Sequence, residues 1–136
     1  MAPVTIRLRR AYDPPSSDDG YRVLVDRVWP RGRSRASLRL DEWARELGPS
    51  DQLRRWFGHD PARWDEFQSR YRVELAEPAR AAMLDALATR ARAGTLTIVF
   101  GARDPEHNQA QVIGDELERR VATVRQVPTE PGAPGR

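Results

Sequence analysis

Apolar and polar residues alternate from the start of the chain. Val4, Ile6 and Leu8 fall between Thr5, Arg7 and Arg9, which predicts a strand over residues 3–9 of the kind found at a sheet edge. "AYDPPSSDDG" then reads as a loop, because two prolines precede a Ser/Asp/Gly cluster. Residues 21–25, "YRVLV", form a more continuously apolar segment and predict a second strand. Pro30 and Gly32 in the following "DRVWPRGRS" interrupt regular structure.

Residues 41–47, "DEWAREL", read as helical up to Gly48-Pro49. Ser50 is a suitable N-cap for a short helix that Gly58 ends. Asp60-Pro61 starts the next helix, whose Trp64, Phe67, Tyr71 and Leu75 share one face for core packing. Residues 79–93 predict another helix, with Gly94 as its C-cap. "TLTIVF", residues 95–100, is apolar on both faces and predicts a central strand covered by helices. Asp104-Pro105 is expected to start the last helix, with Ala110, Ile113, Leu117 and Val121 facing inward. A fourth strand is expected to lie, if anywhere, in residues 122–127.

Strands separated by helices, with one strand buried on both faces, imply an α/β fold: a single three-layer domain with a small, mainly parallel sheet flanked by helices. At 136 residues one domain is expected, over residues 1–121, followed by a flexible tail over 122–136 that is rich in Pro and Gly.

Composition narrows the chemistry. With no cysteine there is no disulfide, Cys-based zinc site or thiol nucleophile. All 23 basic residues are arginine, which excludes a Schiff-base lysine and the lysine of a P-loop. The opening residues lack the apolar core of a signal peptide and no apolar run approaches a membrane span, so a cytoplasmic protein without membrane contact is expected. The net charge of +3 is too small to imply nucleic-acid binding by itself. Its distribution is uneven: residues 1–40 hold nine arginines against four acidic residues. A basic face that attracts a small anionic ligand fits this, and nucleic acid is a weaker alternative.

Ligands of open parallel sheets bind beyond the carboxyl ends of the strands. Two such ends are readable. One delivers Asp26 and Arg27, with Arg31 beyond them, and the other delivers Arg103, Asp104, His107 and Asn108. If the two strands are parallel neighbours, these groups converge near the N-terminus of the last helix. Asp26, Asp104 and His107 are then candidate acid/base groups, and Arg27, Arg31, Arg103 and Asn108 candidate substrate-binding groups. Each also has a plain structural reading: Asp104 and Asp60 as helix caps, Trp29 as a packing residue, Asn108 as an organiser of its turn. His107 is as readily a core histidine as a functional one. No cofactor is predicted, and a divalent metal on His107 with Asp26 or Asp104 is left open. Ser34 does not complete a nucleophile elbow, and no dinucleotide loop or Walker pattern is present.

"RVLVDRVWPRG", "LDEWARELGPS", "LRRWFGHDPARWDEFQSRYRVEL" and "TLTIVFGARDPEHNQAQVIGDEL" follow one another in this order. Together they resemble the YeaO-like family of small bacterial proteins, within the domain-of-unknown-function family numbered 488, over about residues 3–119. The resemblance implies a small α/β protein and carries no established activity with it. Other members of the wider family have Cys-containing patterns after the last strand, where this chain has residues 101–108 without Cys. Two functional classes stay open on these grounds: a hydrolase acting on a phosphorylated or nucleotide-like substrate, and a non-catalytic binding or regulatory module.

Overall fold

A computed structural model describes residues 4–126. The strands are β1 (Ile6–Arg10), β2 (Tyr21–Leu24), β3 (Glu42–Trp43) and β4 (Leu96–Phe100). The α-helices are α1 (Arg35–Leu38), α2 (Asp51–Phe57), α3 (Trp64–Leu75), α4 (Pro78–Ala93) and α5 (Gln109–Gln126). The four strands form one sheet in the order β1-β4-β2-β3, with every pairing parallel. This is the single α/β domain that the pattern implies, and the fully buried β4 is a central strand.

The two faces are covered unequally. Leu96, Ile98 and Phe100 of β4 and Val23 of β2 share one core with the inner faces of α2, α3, α4 and α5. On the other face Leu24 and Val99 meet only Ala11, Leu38 of the four-residue α1, and the partly buried Trp29, Leu40 and Trp43. That thinner side also carries a buried ion pair. Arg22 Nη1 lies 2.6 Å from Asp19 Oδ2, while Arg22 Nε donates to the Leu38 carbonyl oxygen at 3.0 Å. Thr97 Oγ1 donates to the Asp19 carbonyl oxygen at 2.6 Å, which fixes the loop to β4. Burial pushes the Asp19 carboxyl up, but the Ser16 amide and the Arg22 guanidinium outweigh it and hold the group below the ordinary carboxylate range.

Local signals set most helix ends. Ser50 Oγ accepts from the Leu53 amide and Gly58 closes α2 in the left-handed region at φ 54°. Asp60 caps the 3₁₀ turn Pro61–Arg63 that leads into α3, and the Glu77 side chain caps α4.

Three expectations are corrected. Residues 41–47 are not a helix: they contribute β3 and the 3₁₀ turn Arg45–Leu47. The Asp41 amide donates to the Arg22 carbonyl oxygen and the Ala44 amide to that of Leu24, so pairing with β2 overrides the local helical pattern. The last helix does not start at Asp104-Pro105. Asp104 Oδ1 accepts from the Glu106 and His107 amides in a turn, and Asn108 Oδ1 caps α5 by accepting from the Ala110 and Gln111 amides. The fourth strand is therefore β3, and residues 122–126, expected to be strand or tail, continue α5. Residues 127–136, the rest of the expected tail, lie outside the described residues.

Removing Asp19 strands a buried guanidinium. Asp19→Ala is expected to lower unfolding free energy by about 3–5 kcal/mol, because a charge that loses its partner inside the protein costs more than the pair contributes. Urea denaturation measures this, and a loss below about 1 kcal/mol would show that solvent reaches Arg22.

Candidate functional site

The parallel pairing of β2 with β4 sets their carboxyl ends side by side. A cleft of about 360 Å³ opens there. Asp26, one residue beyond Val25, lies in it, half-buried. Its Oδ2 accepts from the Gly101 amide at 2.8 Å, and its Oδ1 accepts from the Gln109 side-chain amide. The close approach needs glycine, since a Cβ on residue 101 would stand 2.8 Å from Asp26 Oδ2. Burial pushes the Asp26 carboxyl up to about 6, against the opposing effect of the Gly101 and Gln109 hydrogen bonds. The Asp26 carbonyl oxygen accepts from Trp43 Nε1 at 2.7 Å, so β3 is tied to the same residue.

Arg27 lines the cleft but its Nε and Nη2 donate to the carbonyl oxygens of Pro49 and Gly48, at 3.0 and 2.8 Å. It braces the chain ahead of α2. Arg31 lines the cleft and is exposed, on the turn after Trp29. Trp29 packs edge-to-face on Trp43 at 5.1 Å and donates from Nε1 to the Arg33 carbonyl oxygen at 2.7 Å, which holds the turn down.

From the β4 side, His107 and Asn108 reach the cleft, whereas Arg103 and Asp104 are not among its lining residues. His107 Nδ1 lies 2.8 Å from Asp104 Oδ2, and the ring meets Trp64 edge-on at 5.3 Å. The Glu106 amide, followed by the His107 ring, holds the Asp104 carboxyl below its ordinary range. Asn108 is 2% exposed, and both ends of its amide are engaged: Oδ1 caps α5 and Nδ2 donates to the Asp104 carbonyl oxygen at 2.8 Å. Among the described residues no three His, Cys, Asp or Glu side chains gather as a metal-binding set.

The structure adds residues that the sequence pattern did not single out for a site. Gln109 holds Asp26; it would have been placed at the helix start had Asn108 been read as the cap. Tyr12, Val28, Phe57 and Phe67 also line the cleft. Tyr12 gave no signal, because only the β1–β4 pairing carries the end of β1 to this place. Arg54 and His59 stand at the cleft from the α2 side, both exposed.

A parallel four-stranded sheet with helices packed on it and a cleft at its central strand ends defines a small α/β protein. A family model described as "Inactive DUF488-N3 subclade" matches residues 5–134. The chain is 39% identical over 114 residues to the uncharacterised protein YeaO of Escherichia coli strain K12, covering 84% of this chain and 97% of that one. It is also 39% identical over 115 residues to an uncharacterised protein of Mycobacterium tuberculosis strain H37Rv, covering 85% and 95%. The chain belongs to the YeaO-like DUF488 family. No solved structure matches it significantly.

Two outcomes follow from this geometry. Arg27→Ala leaves the buried Gly48 and Pro49 carbonyls without their donor and is expected to destabilise by about 1–3 kcal/mol, with Arg27→Lys a poor substitute because an ammonium lacks the planar fork. Wild-type stability of Arg27→Ala in urea would contradict this. For Asp26, the folded-state carboxyl is raised from 3.8 to about 6, so its favourable contribution is present below the unfolded value and is lost as pH rises through about 6. Asp26→Asn, with the Gln109 amide turned to accept, should be more stable than wild type at pH 8 by up to about 2–3 kcal/mol. The advantage should vanish by about pH 4 in paired melts. A variant less stable than wild type at pH 8 would show that the carboxylate is held more favourably than its burial implies.

Proposed function

We propose that this protein is a non-catalytic binding module that holds a small ligand carrying an anionic group in the cleft at the carboxyl ends of β2 and β4. The observation that carries this reading is the make-up of the cleft. Apolar surface from Phe57, Phe67 and Val28 lies beside exposed Arg31 and Arg54, and no Ser, Thr, Cys or Lys is among the lining residues. Such a site offers apolar contact and charge to a ligand but lacks a nucleophile of those four types. Its Asp26 carboxylate already accepts from two donors. The description of the matching subclade as inactive supports the same reading. The protein is taken to work in the cytoplasm.

One observation favours a second reading, a hydrolase acting on a phosphorylated substrate. The Asp26 carboxyl near 6 and the Asp104-held His107 are two groups suited to general acid–base work, and both line the same cleft.

A thermal-shift screen with nucleotides, sugar phosphates and small carboxylates separates these readings. A ligand at about a hundred times its dissociation constant adds roughly 2.7 kcal/mol to stability. Val28 is 60% exposed, so Val28→Trp should keep the wild-type melting temperature while filling the cleft and abolishing the shift. The module reading expects the ligand back chemically unchanged; hydrolysed ligand would establish the enzyme reading. No shift with any compound would remove both.

A further inference from the structure

Beside the cleft, two arginine guanidiniums face one tyrosine ring, and a third arginine sits on the turn to which that tyrosine is bonded. The Arg10 and Arg33 guanidinium carbons stand 5.2 and 5.9 Å from the centre of the Tyr12 ring. Tyr12 Oη donates to the Arg31 carbonyl oxygen at 2.9 Å, which ties the same ring to the turn bearing Arg31 and Arg33. That turn is rigid. The Arg33 amide donates to the Pro30 carbonyl oxygen at 3.3 Å, and Gly32 adopts φ 79° at the position where a type II turn needs a positive φ. Trp29 then holds the Arg33 carbonyl from beneath.

Arg10 Nε donates to the Ala102 carbonyl oxygen at 2.9 Å, which leaves its two terminal nitrogens. None of the three arginines forms an ion pair with a carboxylate among the described residues, although ion pairs are common elsewhere on this surface. Arg33 Nε is buried and has no hydrogen-bond partner. A buried guanidinium donor without an acceptor is costly, and grouping cations without a counter-charge adds repulsion. Both costs are removed by an anion with several acceptor oxygens.

We infer that Arg10 and Arg33, which face Tyr12, together with Arg31 on the turn that Tyr12 binds, form a binding site for a phosphate group at the edge of the cleft. A tetrahedral dianion offers separate oxygens to several guanidinium forks, where a carboxylate matches a single one. Of the arginines expected from sequence, Arg27 has two of its guanidinium nitrogens on backbone carbonyls and Arg31 is kept; Arg10 and Arg33, outside the cleft lining like Arg103, join it because both face the Tyr12 ring. That the rest of the ligand lies in the cleft rests on the binding-module reading; the phosphate site itself does not.

Inorganic phosphate titrated calorimetrically into the full chain, at constant ionic strength set with chloride, tests this. Wild type should bind phosphate, and Arg31→Gln and Arg33→Gln should each weaken binding at least tenfold. In phosphate-free buffer both variants should melt at or above the wild-type temperature, because each removes one of the crowded cations. A merely structural arginine would do the reverse. Unchanged affinity in the variants, or lost binding together with a lower melting temperature, overturns the site. No phosphate binding to wild type, alongside a larger ligand whose shift Val28→Trp abolishes, would overturn the phosphate site and leave the binding module standing. Methyl phosphate binding more tightly than inorganic phosphate, with the gain lost in Val28→Trp, would show that the physiological ligand is a phosphomonoester; equal affinities would make it free phosphate.

Discussion

The Asp26 carboxylate holds the carboxyl ends of the strands together in this molecule. It leaves β2, accepts from the first amide after β4 and from the first side chain of α5, and its own carbonyl receives the Trp43 indole of β3. Three strands and a helix thus converge on one residue whose charge is disfavoured by burial and favoured by two donors. Burial wins, which is why its carboxyl is raised to about 6. This junction joins the loop after β2 to the turn before α5, and both line the cleft.

Electrostatics divides the site in two. Inside the cleft stands an acceptor-only carboxylate among apolar side chains, and at its edge stand arginines without carboxylate partners. Such a gradient suits a ligand whose anionic group stays outside and whose body enters. Among the described residues no metal-binding cluster of His, Cys, Asp or Glu is found, and no Ser, Thr, Cys or Lys lines the cleft. Arg54 differs from the edge arginines, since Asp51 Oδ1 lies 3.3 Å from its Nη2 with both side chains largely solvated, and such an exposed pair contributes little to stability.

The sequence made legible what local rules decide. Alternation located β1, continuous burial located β4, and Ser50, Asp60 and Gly58 marked helix ends that the structure keeps. The adjacency of the β2 and β4 ends, on which the candidate site depends, stood in the sequence only as a condition, and the β2–β4 pairing meets it. What failed was settled by distant partners. Residues 41–47 read as a helix stopped by Gly48-Pro49, yet β2 captures Glu42 and Trp43 as a strand and leaves Arg45–Leu47 as a 3₁₀ turn. Asp104 and Asn108 are both good caps, and only the three-dimensional turn assigns the helix to Asn108. Arg27 and Arg103 have the same composition as Arg31, and nothing local says that one is held by carbonyls and another stands clear of the cleft. Tyr12 and Arg10 reach the site through the β1–β4 register, which no short-range pattern encodes.

Backbone amide shifts recorded while the best-stabilising phosphorylated compound is titrated in would test the binding-module reading most directly, with the compound's own spectrum followed in the same tube. Perturbed amides should cluster at residues 26–33 and 101–109, around the Asp26 junction, and the compound's spectrum should stay unchanged over a day. Perturbations centred on other elements, or new resonances from a cleaved product, would contradict a non-catalytic ligand site at these strand ends.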